Sequence, residues 1–188
     1  GEYSEGDGQQ WQLAADGGLS FGEGAGSVHL TAETGHQDIT NRSGAYTGSA
    51  PHNGNFPGVG EATFKIGDPE VEATSVAANA SLQVADDTRF YATLMGSDRD
   101  IDSFAFYRSK NHSGQGALLA QVYPNGYVPE INQKSKDRSF VLGANGGSEG
   151  GWSWDVSYDY GRNTLDFRTQ NTINYALGAN SPRSFYDG

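Results

Sequence analysis

Strict alternation of apolar and polar residues constrains the fold of this chain more than any other feature. The segment at 152–160 reads Trp-Ser-Trp-Asp-Val-Ser-Tyr-Asp-Tyr, with an apolar or aromatic residue at every second position. Successive side chains of a β-strand point to opposite faces. One face therefore carries Trp, Val and Tyr, and the other carries Ser and Asp. The pattern fits a soluble sheet with its aromatic face on a core, or a membrane β-barrel with that face on lipid.

Similar alternation recurs along the chain, and the alternating segments come in pairs. We predict strand pairs at 9–16 with 27–37, at 71–85 with 89–98, and at 137–145 with 152–167. Short turns near Gly24, Asp87 and Gly147 join the members of each pair, whereas loops at about 39–69 and 101–136 separate the pairs. Only the apolar run at 117–122 suggests a turn or two of helix.

The alternation of short and long connections bears on the class of sheet. Loops of that length are uncommon in compact soluble domains. Outer-membrane barrels, in contrast, have short periplasmic turns and long extracellular loops. The sequence therefore predicts an all-β chain, an antiparallel meander of about six strands from a large outer-membrane barrel. The turns would lie at one end and the loops at the other, and residues 1–188 would form one partial barrel region.

Charge and composition exclude several classes of partner. The formal net charge is -11, which argues against nucleic-acid binding, since phosphate recognition needs clustered Lys and Arg. The same charge argues against peripheral docking on an anionic membrane surface. Cysteine is absent, so there is no disulfide framework. No apolar run reaches the length of about 18 residues that indicates a transmembrane helix.

Several short sequence segments give the chain a specific resemblance to a known family. They are Tyr-Pro-Asn-Gly-Tyr-Val-Pro-Glu-Ile at 123–131, Gly-Gly-Trp-Ser-Trp-Asp-Val-Ser at 150–157, Tyr-Gly-Arg-Asn at 160–163 and the segment 174–188. In order and spacing they resemble the barrel of TonB-dependent receptors. The resemblance implies the outer membrane of a Gram-negative bacterium and active uptake of a scarce nutrient, such as a carbohydrate or a siderophore.

The resemblance also implies partners. Such receptors have barrels of about 22 strands filled by a plug, whereas about six strands are predicted here and no segment resembles a plug or a TonB box. The chain thus looks like an internal barrel fragment. Its partners would be the remaining strands, the plug, TonB acting through that plug, and outer-membrane lipids.

Two groups of residues are candidates for functional contacts. The polar positions of the predicted strands would face the lumen, namely Asn79, Ser81, Tyr91, Asp155 and Asp159. Aromatic rings in the long loops could stack on sugar rings, namely Tyr46, Phe56, Phe106, Tyr107, Tyr123 and Tyr127. The alternative for the loop aromatics is that they pack on one another.

Motifs for chemistry are weak, so we expect no enzyme and no obligatory cofactor. Gly-Leu-Ser-Phe-Gly at 18–22 fits the nucleophile elbow, but a Gly-rich turn and a strand follow where the elbow needs a helix. Asp98, Asp100 and Asp102 resemble the start of a calcium loop, yet Ser103 stands where Gly makes the sharp turn and no Glu closes the loop. Calcium there is an alternative to a solvated acidic loop.

Two further interpretations stay open. Six strands cannot close a barrel of this kind, and open edges template pairing with other chains. The chain could therefore self-associate into a β-rich filament. A soluble carbohydrate-binding β-sandwich would use the same alternation.

Overall fold

The fold is a single antiparallel sheet, which confirms the all-β meander predicted from the sequence. The computed structural model describes residues 6–48, 57–148 and 150–187. Seven strands follow one another in the sheet in sequence order. They are β1 (Gln10–Phe21), β2 (Gly26–Gln37), β3 (Glu70–Ala85), β4 (Thr88–Phe104), β5 (Glu130–Gly147), β6 (Ser153–Gln170) and the two-residue β7 (Phe185–Tyr186).

Short turns lie at one end of the sheet and long loops at the other, as the spacing predicts. A 3-10 turn at Gly22–Gly24 joins β1 to β2, and the pair Asp86 and Asp87 joins β3 to β4. Gly24 has a φ of 93°, a conformation that glycine adopts without strain. The loop between β2 and β3 covers 38–69, close to the predicted bounds. A short helix, α1 (Gly116–Val122), lies where the apolar run predicts it.

The second long loop is shorter than predicted, which corrects the range 101–136. Strand β4 continues to Phe104 and β5 begins at Glu130, so the loop covers only 105–129. The apolar alternation ends earlier, but oppositely charged side chains continue the cross-strand pairing. Lys134 of β5, for example, lies 2.8 Å from Asp100 of β4. Cross-strand charged pairs thus extend β4 and β5 beyond the residues at which the apolar alternation ends.

The register places apolar residues of six strands in continuous rows on one face. Three rows run from β1 to β6, and we call this surface the apolar face. They are Gly17, Leu30, Ala78, Leu94, Phe140 and Tyr160; then Leu19, Val28, Ala80, Ala92, Leu142 and Tyr158; then Phe21, Gly26, Leu82, Phe90, Ala144 and Val156. The alternating positions between them form the opposite surface, which we call the polar face.

The buried core lies in the loops and not on the sheet. Leu119 of α1 is fully buried together with Tyr127 and Ile173, and four further side chains pack around them. We call this cluster the loop core; its other members are Leu118, Val122, Tyr123 and Tyr175. Within the described ranges no second sheet covers the apolar face, and no helix there is long and apolar enough to cross a membrane.

Truncating Leu119 should loosen the loops and leave the sheet intact. The Leu119→Ala change removes a side chain with no exposed surface, and such truncations cost about 2–5 kcal/mol. Hydrogen exchange should show lost amide protection in 116–122 and around Ile173, with β3 to β6 unchanged. Leu177→Ala is the matched control, since Leu177 is 54% exposed. Equal loss of protection in both variants would show that Leu119 does not hold the loops together.

Candidate functional site

The polar face carries a network of hydrogen bonds between strands. All five residues predicted to face the lumen lie on it, since Asn79, Ser81, Tyr91, Asp155 and Asp159 occupy the positions between the apolar rows. Thr93 donates to Asn79 over 3.0 Å, and the hydroxyls of Ser27 and Ser81 lie 3.0 Å apart. A surface of hydroxyls, amides and carboxylates suits contact with water or a polar ligand.

Within this network, Tyr91 forms a hydrogen bond that crosses an intervening strand. Its hydroxyl donates to Oδ1 of Asp155 over 2.8 Å, although β5 lies between the two strands. Directly opposite Tyr91 on β5 is Gly143, and a Cβ built there would lie 2.3 Å from the Tyr91 ring. The missing side chain of Gly143 therefore lets the ring lie across β5. Asn145 also approaches Asp155, with its amide 3.4 Å from Oδ2.

Acidic groups elsewhere on the polar face are also paired. His29 lies 3.1 Å from Asp16, and Gln12 donates to Glu33 over 2.7 Å. Ser20, the central residue of the Gly-Leu-Ser-Phe-Gly motif, lies within β1 opposite Ser27. The chain continues from it through a 3-10 turn into β2, whereas a nucleophile elbow leads into an α-helix.

Three of the six aromatic loop residues pack against other loop residues. Tyr127 is buried, and its ring stacks on Tyr123 with 4.2 Å between the ring centroids. The hydroxyls of Tyr127 and Tyr175 lie 3.0 Å apart. Tyr107 is buried as well, and its hydroxyl donates to the carbonyl of Asn125 over 2.9 Å. These three rings thus have a structural role in the loops.

The other three loop aromatics differ in their surroundings. Phe106 is 68% exposed, and its ring is accessible from solvent. Tyr46 is half-buried in a small backbone ladder, since its amide donates to Glu61 and its carbonyl accepts from Gly60. Phe56 lies outside the described residues. Ligand contact by the loops stays a prediction. Among the five candidate loop aromatics that the structure describes, Phe106 is the most accessible.

Burial raises the pKa of three tyrosines in the loops. It raises the pKa of Tyr127, and the hydrogen bond with Tyr175 raises that pKa further. Burial also raises the pKa of Tyr107 and of Tyr123. The cost of ionising a buried phenol therefore extends the pH range over which Tyr127 keeps its hydroxyl proton beyond that of an exposed tyrosine.

The three aspartates of the predicted calcium motif lie in β4 and contact side chains of β5. Asp98 accepts from Arg138 over 2.8 and 2.9 Å, Asp100 pairs with Lys134, and Asp102 accepts from Asn132. Extended backbone holds the three residues in a line instead of wrapping them around an ion. Across the described ranges, no group of three or more His, Asp or Glu side chains could hold a metal ion. The carboxylates thus link β4 to β5 in this structure.

Comparison with known proteins adds no relative. No family model, curated protein or solved structure matches the chain. The functional interpretation therefore depends on the two faces of the sheet, the loops and the sequence resemblance.

Alkaline pH should loosen the loop core through Tyr127. Its folded-state pKa is raised, so its contribution to stability is complete below the unfolded value of about 10 and decreases as pH rises beyond it. We expect the protection of 116–122 from hydrogen exchange, corrected for the intrinsic rate, to fall above about pH 10. Tyr127→Phe should weaken that pH dependence and cost about 0.5–1.5 kcal/mol at neutral pH. Tyr158→Phe, exposed on the sheet, should retain the wild-type pH dependence; an identical effect of both changes would contradict the assignment.

Proposed function

We propose that this chain forms part of the wall of an outer-membrane β-barrel, in a receptor of the TonB-dependent type that takes up a scarce nutrient. The observation that carries the proposal is the separation of the sheet into a continuous apolar face and a hydrogen-bonded polar face. In such a barrel the apolar face contacts lipid and the polar face lines the lumen. The plug, the remaining strands and TonB would be the partners.

The exposure of the apolar face supports a lipid partner. Large apolar side chains stay uncovered across the sheet: Leu30 is 57% exposed, Leu94 51%, Tyr158 63% and Val156 68%. Burial of apolar surface stabilises by about 25 cal/mol per Å², so this face gains its stabilisation only from an apolar partner. Soluble monomers rarely expose contiguous apolar patches larger than a few hundred Å².

The length of the aromatic segment fits a membrane crossing. The alternation from Trp152 to Tyr160 covers nine residues, and a tilted transmembrane strand needs about 9–11. Trp152 is 92% exposed and lies beside the turn that precedes β6. Aromatic girdles mark the membrane interfaces of such barrels, so Trp152 and Trp154 would mark the periplasmic side.

The two other interpretations account for less of the structure. A soluble sandwich needs a second sheet over the apolar face, and the described residues supply none. A filament is favoured by one observation: β1 ends the sheet on one side, and β6 pairs with β7 only at Arg168 and Thr169. Further barrel strands would satisfy the same open edges and also leave the apolar face to lipid. We therefore place the barrel wall first and self-association second.

Transport would use the polar face and the loops without covalent chemistry. The Tyr91–Asp155 bridge and the paired side chains around it offer donors and acceptors to a polar nutrient or to the plug. The loop core anchors the segments 105–129 and 171–184 to each other above the sheet. A loop end built on such a core can present rings such as Phe106 to a ligand from outside.

Adjacent residues on opposite faces should respond differently to a charge in lipid. Val156→Arg places a cation on the apolar face and should cost about 2–4 kcal/mol near the midplane. Ser157→Arg adds the same charge on the polar face and should cost much less. Unfolding by denaturant in lipid vesicles, with the intact receptor or the chain itself, measures both values. Equal costs would rule out a lipid-facing apolar face.

The two ends of the sheet should differ in accessibility on cells. Lys110 lies exposed in the long loop after β4, and Asp87 lies in the short turn before it. With the receptor in intact cells, a membrane-impermeant thiol reagent should label a Lys110→Cys variant. It should label an Asp87→Cys variant only after the cells are lysed. The reverse pattern would invert the proposed orientation, and labelling of both variants in intact cells would contradict a spanning sheet.

A further inference from the structure

A group of cations lies on the apolar side of the sheet, one row beyond Phe140 and Tyr160. Arg138 of β5 and Arg162 of β6 are directly opposite each other in the register, and Lys136 is the next residue of β5 on the same side. Like charges directly opposite each other destabilise a strand pair. This arrangement therefore costs stability unless an anion compensates it.

Only part of the positive charge is compensated within the described residues. Asp98 pairs with Arg138, and Asp100 pairs with Lys134. The side chains of Arg162 and Lys136 are exposed and make no hydrogen bond or ion pair with any described residue, although Asp98 lies directly opposite Lys136 in the register. One member of the arginine pair, Arg162, and the neighbouring Lys136 thus have no ion-pair partner among the described residues, although the net charge of the chain is negative.

An apolar groove of about 990 Å³ begins at the same place and runs along the apolar face. Leu30, Val76, Leu94 and Phe140 line its walls, and Arg138 stands at its charged end. Gly96 forms part of its floor: a Cβ built there would lie 3.5 Å from both Val76 and Arg138. The groove and the cations together make one surface that is apolar at one end and basic at the other.

We propose that this surface binds an anionic lipid, with its phosphate on Arg162 and Lys136, next to Arg138, and an acyl chain in the groove. Guanidinium groups bind phosphate oxygens bidentately, and an ammonium group adds a point charge. The cations lie near the middle of β5 and β6, on the loop side of the apolar rows, where lipid headgroups would begin. The inference rests on the proposed membrane setting and deepens it by naming a lipid class.

The test measures lipid retention by native mass spectrometry. Protein in neutral detergent is incubated with phosphatidic acid or with phosphatidylcholine of the same acyl chains. We expect preferential retention of phosphatidic acid and about tenfold weaker retention in the Lys136→Ala, Arg162→Ala double variant. Arg99→Ala is the matched control, since Arg99 is an exposed cation at a similar level on the polar side and should have no effect. If the double variant fails to fold, Arg162→Gln alone should weaken retention severalfold.

Two further measurements separate a lipid site from a simple anion site. Gly96→Leu fills the groove and should weaken phosphatidic acid retention without changing the affinity for inorganic phosphate. Equal retention of both lipids, or equal loss in Arg99→Ala and the double variant, would overturn the proposal. A Gly96→Leu variant that retains phosphatidic acid fully would overturn the acyl-chain contact. Failure of the protein to enter vesicles of either lipid would instead contradict the proposed function.

Discussion

The two-residue period of the strands, kept in register across β1 to β6 except for a shift between Gln83 and Ala85 at the end of β3, is the constraint on which the rest of the structure depends. Because the register has no slip between β4, β5 and β6, the three apolar rows continue across these strands, as Leu94, Phe140 and Tyr160 show. A shift by one residue would move a whole strand's apolar set to the polar face. The sheet thus gains one apolar surface, and no described part of the chain covers it.

A sheet of one layer must be stabilised differently from a layered domain. The backbone ladder and cross-strand side-chain pairs act within the sheet, and the buried core is confined to the loops. On the polar face, Tyr91 ties β4 to β6 by crossing Gly143 of β5. Such pairs contribute only about 0.2–1 kcal/mol each. In the proposed barrel wall, contact of the apolar face with a lipid bilayer would supply the main stabilising term.

The sequence predicted the strands and faces well because both depend on local alternation. Trp154 and Asp155 are consecutive residues, so alternation alone predicts that they point to opposite faces, and the register confirms this. The bounds of the second loop were wrong because Asp100 and Lys134 extend the ladder through pairing across 34 residues, a contact that no local pattern contains. The loop core was missed for the same reason: Tyr127 meets Tyr175 across 48 residues. The sequence shows that the loops are rich in aromatic residues. It does not show which rings are packed and which are accessible, because that depends on contacts between distant residues.

The same two-residue period determines which side chains follow the apolar rows on their side of the sheet. Parity along β5 places Arg138 on the same side as Phe140, and the next two residues of β5 on that side, Lys136 and Lys134, are also charged. A charge within the hydrocarbon is costly, and long basic side chains near a membrane boundary extend toward the headgroups. The Asp98–Arg138 pair neutralises part of that charge within the protein, and Arg162 and Lys136 leave the remainder for an external anion. In the proposed barrel wall, the charged row that places like charges opposite each other in β5 and β6 would also set how deeply the sheet sits in the membrane.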